Sequence, residues 1–299
     1  MMDLSIIILN YNTKKLTLDC IESIISKKWK STFNIVVVDN ASSDGSVDAI
    51  KEKYNQVKVI ESNKNVGFSR GNNLALKKYY KNSKYCLLLN SDTIVLEDSI
   101  DKLVAFITKS DYCIVSCMLL NKDRSFQPNA GELPKPVPAF IWLSGLDDIT
   151  RKMFRLPSYQ ERGDGYYKEN RSVGWVSGSV MLISSTLIEE IGYLDSKIFM
   201  YAEDVDMCWR AEEHGKSVGW TKDAKIVHIG GASLDQPQYK QWLGEFNGLL
   251  YLYEKHYNKY YKTVLKLLMY IFIFVRQIAF WIIGKKEHSK TYEKILKEL

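Results

Sequence analysis

The sequence predicts an α/β fold, a mostly parallel sheet flanked by helices, with an apolar and basic helical extension at the C-terminus. Three observations predict it. Short runs of Val, Ile and Leu alternate with helical patterns through the first half of the chain, as strands covered on both faces require. Polar residues bunch at the carboxyl ends of those runs, which is where such sheets bind ligands. Residues 255–299 hold ten Lys and Arg against three Glu, a local charge of +7 around a long apolar stretch, whereas residues 1–254 sum to −1.

Taken in order, LSIIILN (4–10) reads as a buried strand, and Leu16, Cys20, Ile21, Ile24 and Ile25 form one face of the helix after it. NIVVVD (34–39), VKVIE (57–61) and YCLLLN (85–90) are the next strands, separated by helical patterns near 46–54 and 71–81. Residues 121–173 contain most of the prolines and little periodicity, and read as a variable, loop-rich insert. WVSGSVMLI (175–183) reads as one strand, 203–213 as a helix closed near Gly215, and AKIVHIGGAS (224–233) as a strand running into a Gly-Gly loop. The predicted division is a catalytic domain over 1–240 and a helical extension over 241–299.

At 299 residues with 46% apolar and 12% aromatic content, the chain can bury a full core and is neither disordered nor fibrous. Five scattered cysteines without a CxxC pair exclude a disulfide framework and a zinc knuckle, and fit a reducing cytosol. The opening residues carry Asp3 where a signal peptide carries positive charge, so export is not expected. The apolar stretch 264–283 is near the length of a membrane span but includes Lys266 and Arg276. It reads as an interfacial helix beside anionic lipid, a span, a packed core helix or an oligomer contact. Nucleic acid does not explain the charge, because the basic and aromatic residues sit inside an aliphatic run.

No GxGxxG follows the first strand and no GxxxxGK[ST] occurs, which removes the nicotinamide, flavin and P-loop phosphate sites. Gly67-Phe68-Ser69-Arg70-Gly71 matches GxSxG, with Asp204 and His228 following in hydrolase order. That elbow needs a strand running into the serine, and Ser62-Asn63-Lys64-Asn65 intervenes. NKNVGFSRGNN reads instead as a loop suited to gripping a sugar-phosphate. Asp92, ending YCLLLNSD, reads either as turn chemistry or as a metal or phosphate ligand at a sheet mouth. Glu203, Asp204 and Asp206 read either as first-turn helix acids or as the source of a general base. His228 is either a structural strand-end residue or a ligand for a divalent metal.

As an ordered set, Asp39 in VVVDNASSDGS, Asn90-Ser91-Asp92 in LLLNSDT, Glu203-Asp204 in YAEDVD and His228 in VHIGG resemble the inverting, metal-dependent nucleotide-sugar glycosyltransferases of family 2. NVGFSRGNN is similar to the rhamnosyltransferase-type members, and the resemblance covers roughly residues 3–240. It implies the GT-A fold, a Rossmann-like sheet. It further implies that Asp39 accepts the imide N–H of a uracil or thymine base, so that the donor is a UDP- or dTDP-sugar. Asn10 and Tyr11 would flank the base and ribose, and Lys64, Asn65, Arg70, Asn90 and Ser91 would line the donor side. Asp92 and His228 would hold Mn²⁺ or Mg²⁺ against the diphosphate, with the mixed oxygen and imidazole donors leaning to Mn²⁺. Asp204 would take the acceptor's proton, with Trp175, Gly178 and Glu203 on the acceptor side. The acceptor would be a glycan or lipid-linked hydroxyl, and the enzyme would sit peripherally on the inner face of the cell membrane through 264–283.

The sequence departs from that pattern in two places. The metal motif often has two acids, and here the first is Asn90, which shifts weight onto His228 and the diphosphate. The QxxRW of processive members is absent, since Gln277-Ile278-Ala279-Phe280-Trp281 lacks the Arg, so one sugar is expected per encounter. The rival reading is a catalytically inactive sugar-nucleotide or glycan-binding subunit of the same fold.

Overall fold

The computed structural model describes residues 2–150, 155–230 and 237–299. Its elements run β1 (Met2–Asn10), α1 (Lys14–Ile25), β2 (Phe33–Asp39), α2 (Ser46–Lys53), β3 (Lys58–Glu61), α3 (Gly67–Tyr79), β4 (Ser83–Asn90), β5 (Thr93–Val95), α4 (Ser99–Thr108) and β6 (Tyr112–Leu120). There follow β7 (Phe126–Gln127), β8 (Ala130–Gly131), α5 (Pro136–Ser144), α6 (Leu146–Thr150), β9 (Arg171–Val173), β10 (Trp175–Val176), β11 (Val180–Ser184), α7 (Ser185–Ile191), α8 (Glu203–Glu213) and β12 (Ser217–His228). Helices α9 (Pro237–His256), α10 (Lys259–Ile282) and α11 (Lys286–Glu298) complete the chain.

The main sheet has the order β3-β2-β1-β4-β11-β6-β12-β5. The half built from β3, β2, β1 and β4 is parallel throughout, so the carboxyl ends of these strands fall along one edge. Their central residues, Ile6, Ile7, Ile8, Val36, Val37, Val38, Leu87 and Leu88, are fully buried, which explains unbroken aliphatic runs in place of alternation. Beyond β4 the sheet is mixed: β11 is antiparallel to both neighbours, β12 is parallel to β6, and β5 is antiparallel to β12.

The chain divides into two compact units. One comprises residues 1–133, 160–199 and 203–233, and contains the main sheet; the other comprises 134–159, 200–202 and 234–299. The expected boundary at 240/241 falls inside α9, and the expected Gly-Gly loop after β12 runs into 231–236, which lies outside the described residues.

Three expectations need correction. The stretch beginning at Gly67 is not a loop but the first turn of α3. Its glycines give room to neighbouring chain: a Cβ on Gly67, at φ +85°, would lie 2.4 Å from the Phe199 carbonyl oxygen, and one on Gly71 would lie 2.5 Å from Leu9. Residues 175–183 are not one strand, because Ser177-Gly178-Ser179 breaks it into β10, paired with β8, and β11 in the main sheet. The insert is not merely loops, since it holds α5 and α6. Helix α5 is apolar nearly all round, which hides its period, and its two prolines, Pro136 and Pro138, stand in the first turn, where a missing N–H costs nothing.

Candidate functional site

The site is built on the carboxyl edge of the parallel strands. Asn10, ending β1, is wholly buried. Its amide donates to Asp39 Oδ1 at 2.6 Å and to Ser42 Oγ at 3.0 Å, and its oxygen accepts from Thr13 and Thr17 at 2.8 and 2.7 Å. Two donors and two lone pairs are thereby spent, so Asn10 braces its neighbours and has no side-chain bond left for a ligand. Asp39, ending β2 and 3% exposed, takes a second bond from the Ser42 N–H at 2.9 Å. Each oxygen accepts one bond and keeps capacity for another. Asn12 and Ala41, following these two strands, sit at φ +53° and +66°, a left-handed backbone that non-glycine residues adopt at a cost and that concentrates at functional sites.

The pairing of β5 with β12 sets Thr93 opposite His228, so Asp92 and His228 meet although they are distant in sequence. His228 Nε2 lies 3.4 Å from Asp92 Oδ1 and 3.3 Å from Asn90 Nδ2. The other Asp92 oxygen accepts from the Gly230 N–H at 3.1 Å, and its carbonyl accepts from Ile229 N–H at 3.0 Å. Gly230 stands at φ +76°, which turns that N–H back on the carboxylate. Burial raises the Asp92 carboxyl, but His228 and the backbone N–H groups outweigh it and hold it below the ordinary carboxylate value.

Gln127, unremarked in the sequence, sets the state of His228. Its Oε1, an acceptor only, lies 2.8 Å from His228 Nδ1, so Nδ1 donates to it and Nε2 is the ring atom turned toward Asp92. Two donors each about 2.1 Å from a cation and at right angles lie roughly 3 Å apart, which the Asp92 and His228 pair approaches. The pair therefore suits a divalent ion whose remaining positions a ligand fills. Among the described residues no cluster of three His, Cys, Asp or Glu gathers, so Asp92 and His228 could supply only part of a metal's shell.

Asp204 occupies the first turn of α8. Its Oδ2 accepts from the Gly178 N–H at 2.8 Å and its Oδ1 from the Val205 N–H at 2.8 Å. Burial raises its carboxyl above the ordinary value, and those N–H groups offset this only in part. Asp206 is different: fully buried, it pairs with Arg210 at 2.8 Å, and Arg210 also binds the Ile191 and Tyr193 carbonyls. The Ser177-Gly178-Ser179 turn serves both halves of the site. Ser179 O accepts from the Asn90 N–H at 2.9 Å, while Gly178 donates to Asp204.

Other expected residues are placed as follows. Ser91, nearly buried, bonds Thr13 Oγ1 at 2.9 Å and so joins the Asn10 network. Tyr11 is exposed, as is Lys64. Asn65 Oδ1 accepts from Asn40 Nδ2 and the Gly67 N–H, which shapes the start of α3. Arg70 is exposed and donates to the Ser196 carbonyl at 2.7 Å. Trp175 is buried in the β8 and β10 pairing, and Glu203 is buried at the α8 start. Gly178 packs on Phe68, 3.3 Å from where its Cβ would stand. Ser69 is fully buried inside α3, so the hydrolase arrangement has no accessible nucleophile.

The family model for glycosyl transferase family 2 matches residues 5–182, and that for glycosyl transferase family group 2 matches 164–284. A low-salt glycan biosynthesis hexosyltransferase of Haloferax volcanii is 28% identical over 242 residues, 80% of this chain and 70% of that protein. An N-acetylglucosaminyl-diphospho-decaprenol L-rhamnosyltransferase of Mycobacterium tuberculosis is 23% identical, over 65% of this chain and 66% of that protein. Among solved structures, residues 1–349 of S. aureus TarS match with TM-score 0.53 at 16% identity over 91% of this chain and 71% of that piece. GalNAc-T7 with UDP, GalNAc and Mn²⁺ matches with TM-score 0.59 at 14% identity, over 85% of this chain and 48% of its own.

Proposed function

The chain belongs to glycosyl transferase family 2 and has the GT-A fold, and from that premise we propose that it is a metal-dependent, inverting, non-processive transferase. It moves a sugar from a UDP- or dTDP-sugar to a hydroxyl of a glycan or lipid-linked acceptor in glycan synthesis. Rhamnose is the proposed sugar and a lipid diphosphate glycan the proposed acceptor, because both stand in the name of the mycobacterial relative. The 1–240 region would be the catalytic part and the C-terminal helices the part that keeps it at the inner face of the membrane.

One observation carries the reading: a single three-residue turn ties the strand end bearing Asp92, beside His228, to the carboxylate of Asp204. A displacement needs a group that neutralises the leaving diphosphate and a base for the incoming hydroxyl. Asp39, braced from both sides, would accept the imide N–H of the pyrimidine, with Tyr11 at the rim and Lys64 and Arg70 toward the phosphates. Asn10 is assigned to bracing Asp39. Asp92 and His228 would hold Mn²⁺ or Mg²⁺, which supplies Lewis-acid neutralisation of the diphosphate. The acceptor oxygen bonds to the anomeric carbon as the bond from that carbon to the diphosphate oxygen breaks. The hydroxyl proton passes to Asp204, whose burial favours accepting it, and the configuration at the anomeric carbon inverts.

The test is incubation with a panel of UDP-, dTDP-, GDP- and ADP-sugars and Mn²⁺, scoring nucleoside diphosphate release and donor binding. Binding confined to the pyrimidine donors, and weakened about tenfold or more in Asp39→Ala through loss of a charge-assisted hydrogen bond, is the expected result. Binding to none of these donors would overturn it.

A further inference from the structure

Helix α10 is 24 residues long and apolar enough to cross a membrane by length and composition, yet little of it is buried. Its exposed side is the apolar one. Val264, Leu267, Ile271, Phe274, Ile278 and Trp281 recur every three or four residues and are 39 to 68% exposed, one stripe of the helix. Its inner side, through Leu265, Met269 and Ile273, is buried. Arg276 does not face outward with the stripe but donates to the Trp142 carbonyl in the last turn of α5 at 2.9 Å. That bond explains a cation inside an apolar run, and it fastens α10 to α5. Phe140 of α5 meets Phe272 of α10 edge to face at 5.7 Å. Beside this contact, Val137 and Phe140 of α5 and Leu146 and Ile149 of α6 are also exposed, Ile149 at 74%.

We propose that α5, α6 and α10 form one membrane-docking face that lies in the interface of an anionic lipid surface and does not span it. A soluble chain seldom leaves so many large apolar side chains uncovered in one place. Spanning would strip α10 from α5 and strand Arg276 in hydrocarbon. Charge decides between lipid and a second copy. Exposed Lys285, Lys286, Lys290 and Lys294 follow on α10 and, with Lys297 paired to Glu293, outnumber the segment's Glu287, Glu293 and Glu298, and Trp281 near the end of α10 is 68% exposed. Anionic headgroups attract such cations, and an amphipathic aromatic favours the same depth. An isologous dimer over this face would set the same cations against their copies. The four α5 and α6 residues belong to the 121–173 insert. The inference deepens the membrane placement proposed above and rests on it for its biological sense.

The test is flotation of the full chain with vesicles of neutral phosphatidylcholine alone or with about one third phosphatidylglycerol, an anionic surface for the cations to read. The variants are Val137→Glu with Ile149→Glu on the insert, and Leu267→Glu with Ile278→Glu on α10. The native chain should float with anionic vesicles, be released by alkaline carbonate, and lose at least fivefold of its bound fraction in either pair. Native flotation by the insert pair, retention after carbonate, or a soluble dimer that ignores vesicles would each overturn the proposal. Donor binding by the same variants without lipid keeps the outcomes distinct. Retained donor binding with lost flotation supports the docking face, whereas flotation without any donor binding removes the enzymatic reading and leaves the face standing.

Discussion

Asp204 accepts bonds from Gly178 and Val205, and its burial holds the carboxyl above the ordinary aspartate value of about 3.9. A base works deprotonated, so turnover should fall as pH drops through that raised value, and the acid limb of kcat should lie above the range of an exposed aspartate. A limb at or below about 4, where exposed Asp titrates, would contradict the assignment. Gln127 acts one step removed. Its bond to His228 Nδ1 turns Nε2 toward Asp92 and Asn90 as the ring atom that would ligate, and Gln127→Leu should weaken Mn²⁺ binding by roughly 10- to 100-fold. Calorimetry reads the affinity, and the ¹⁵N shifts of His228 read the tautomer without any turnover. Unchanged shifts and affinity would make Gln127 a packing residue only. Asp39, Asp92, Asp204 and His228 could be singled out in the sequence as candidates because each stands at or beside the end of an element with a polar group of distinctive chemistry. Gln127 was not, since it lies 101 residues from its partner and only the β6, β7 and β12 pairings bring the two together.

At the scale of elements, α8 shows two acids of one turn put to different uses. Asp206 is buried against Arg210, and removing it leaves the guanidinium with its two carbonyl partners but no counter-charge. Asp206→Ala should lower stability by about 3 kcal/mol in denaturant unfolding, the low end for breaking a buried pair. Wild-type unfolding with lost turnover would move Asp206 into the chemistry. The bounds of α8 could be read from acids at its start and Gly215 after its end. The parallel strands could be read because burial on both faces leaves unbroken aliphatic runs at the centres of β1, β2 and β4. The break at Ser177-Gly178-Ser179 could not, because small residues inside an apolar run do not interrupt the strand pattern, and the turn exists to meet Asn90 and Asp204. Likewise Gly67 and Gly71 suggested a phosphate loop, but close packing against Phe199 and Leu9 is what requires them.

For the whole molecule, the strand order puts the residues of β1 and β2 proposed for the nucleotide and those beside β4, β5 and β12 proposed for a metal in one unit. The insert helices and the C-terminal helices share the other. Composition showed the charge of the tail and the length of its apolar run, but not that Arg276 is consumed by α5, because that bond joins residues 134 apart. Removing residues 264–299 would therefore also uncover the inner contacts of α10, which makes point changes on its outer stripe the cleaner probe. The central claim is that Asp204 is the base of a one-step transfer, and Asp204→Asn tests it most directly with the preferred pyrimidine donor and Mn²⁺. Donor affinity should remain within about threefold of wild type while kcat falls by roughly 10²- to 10⁴-fold, the range for loss of a general base. Turnover near the wild-type rate, or equal loss of donor affinity and turnover, would contradict the account.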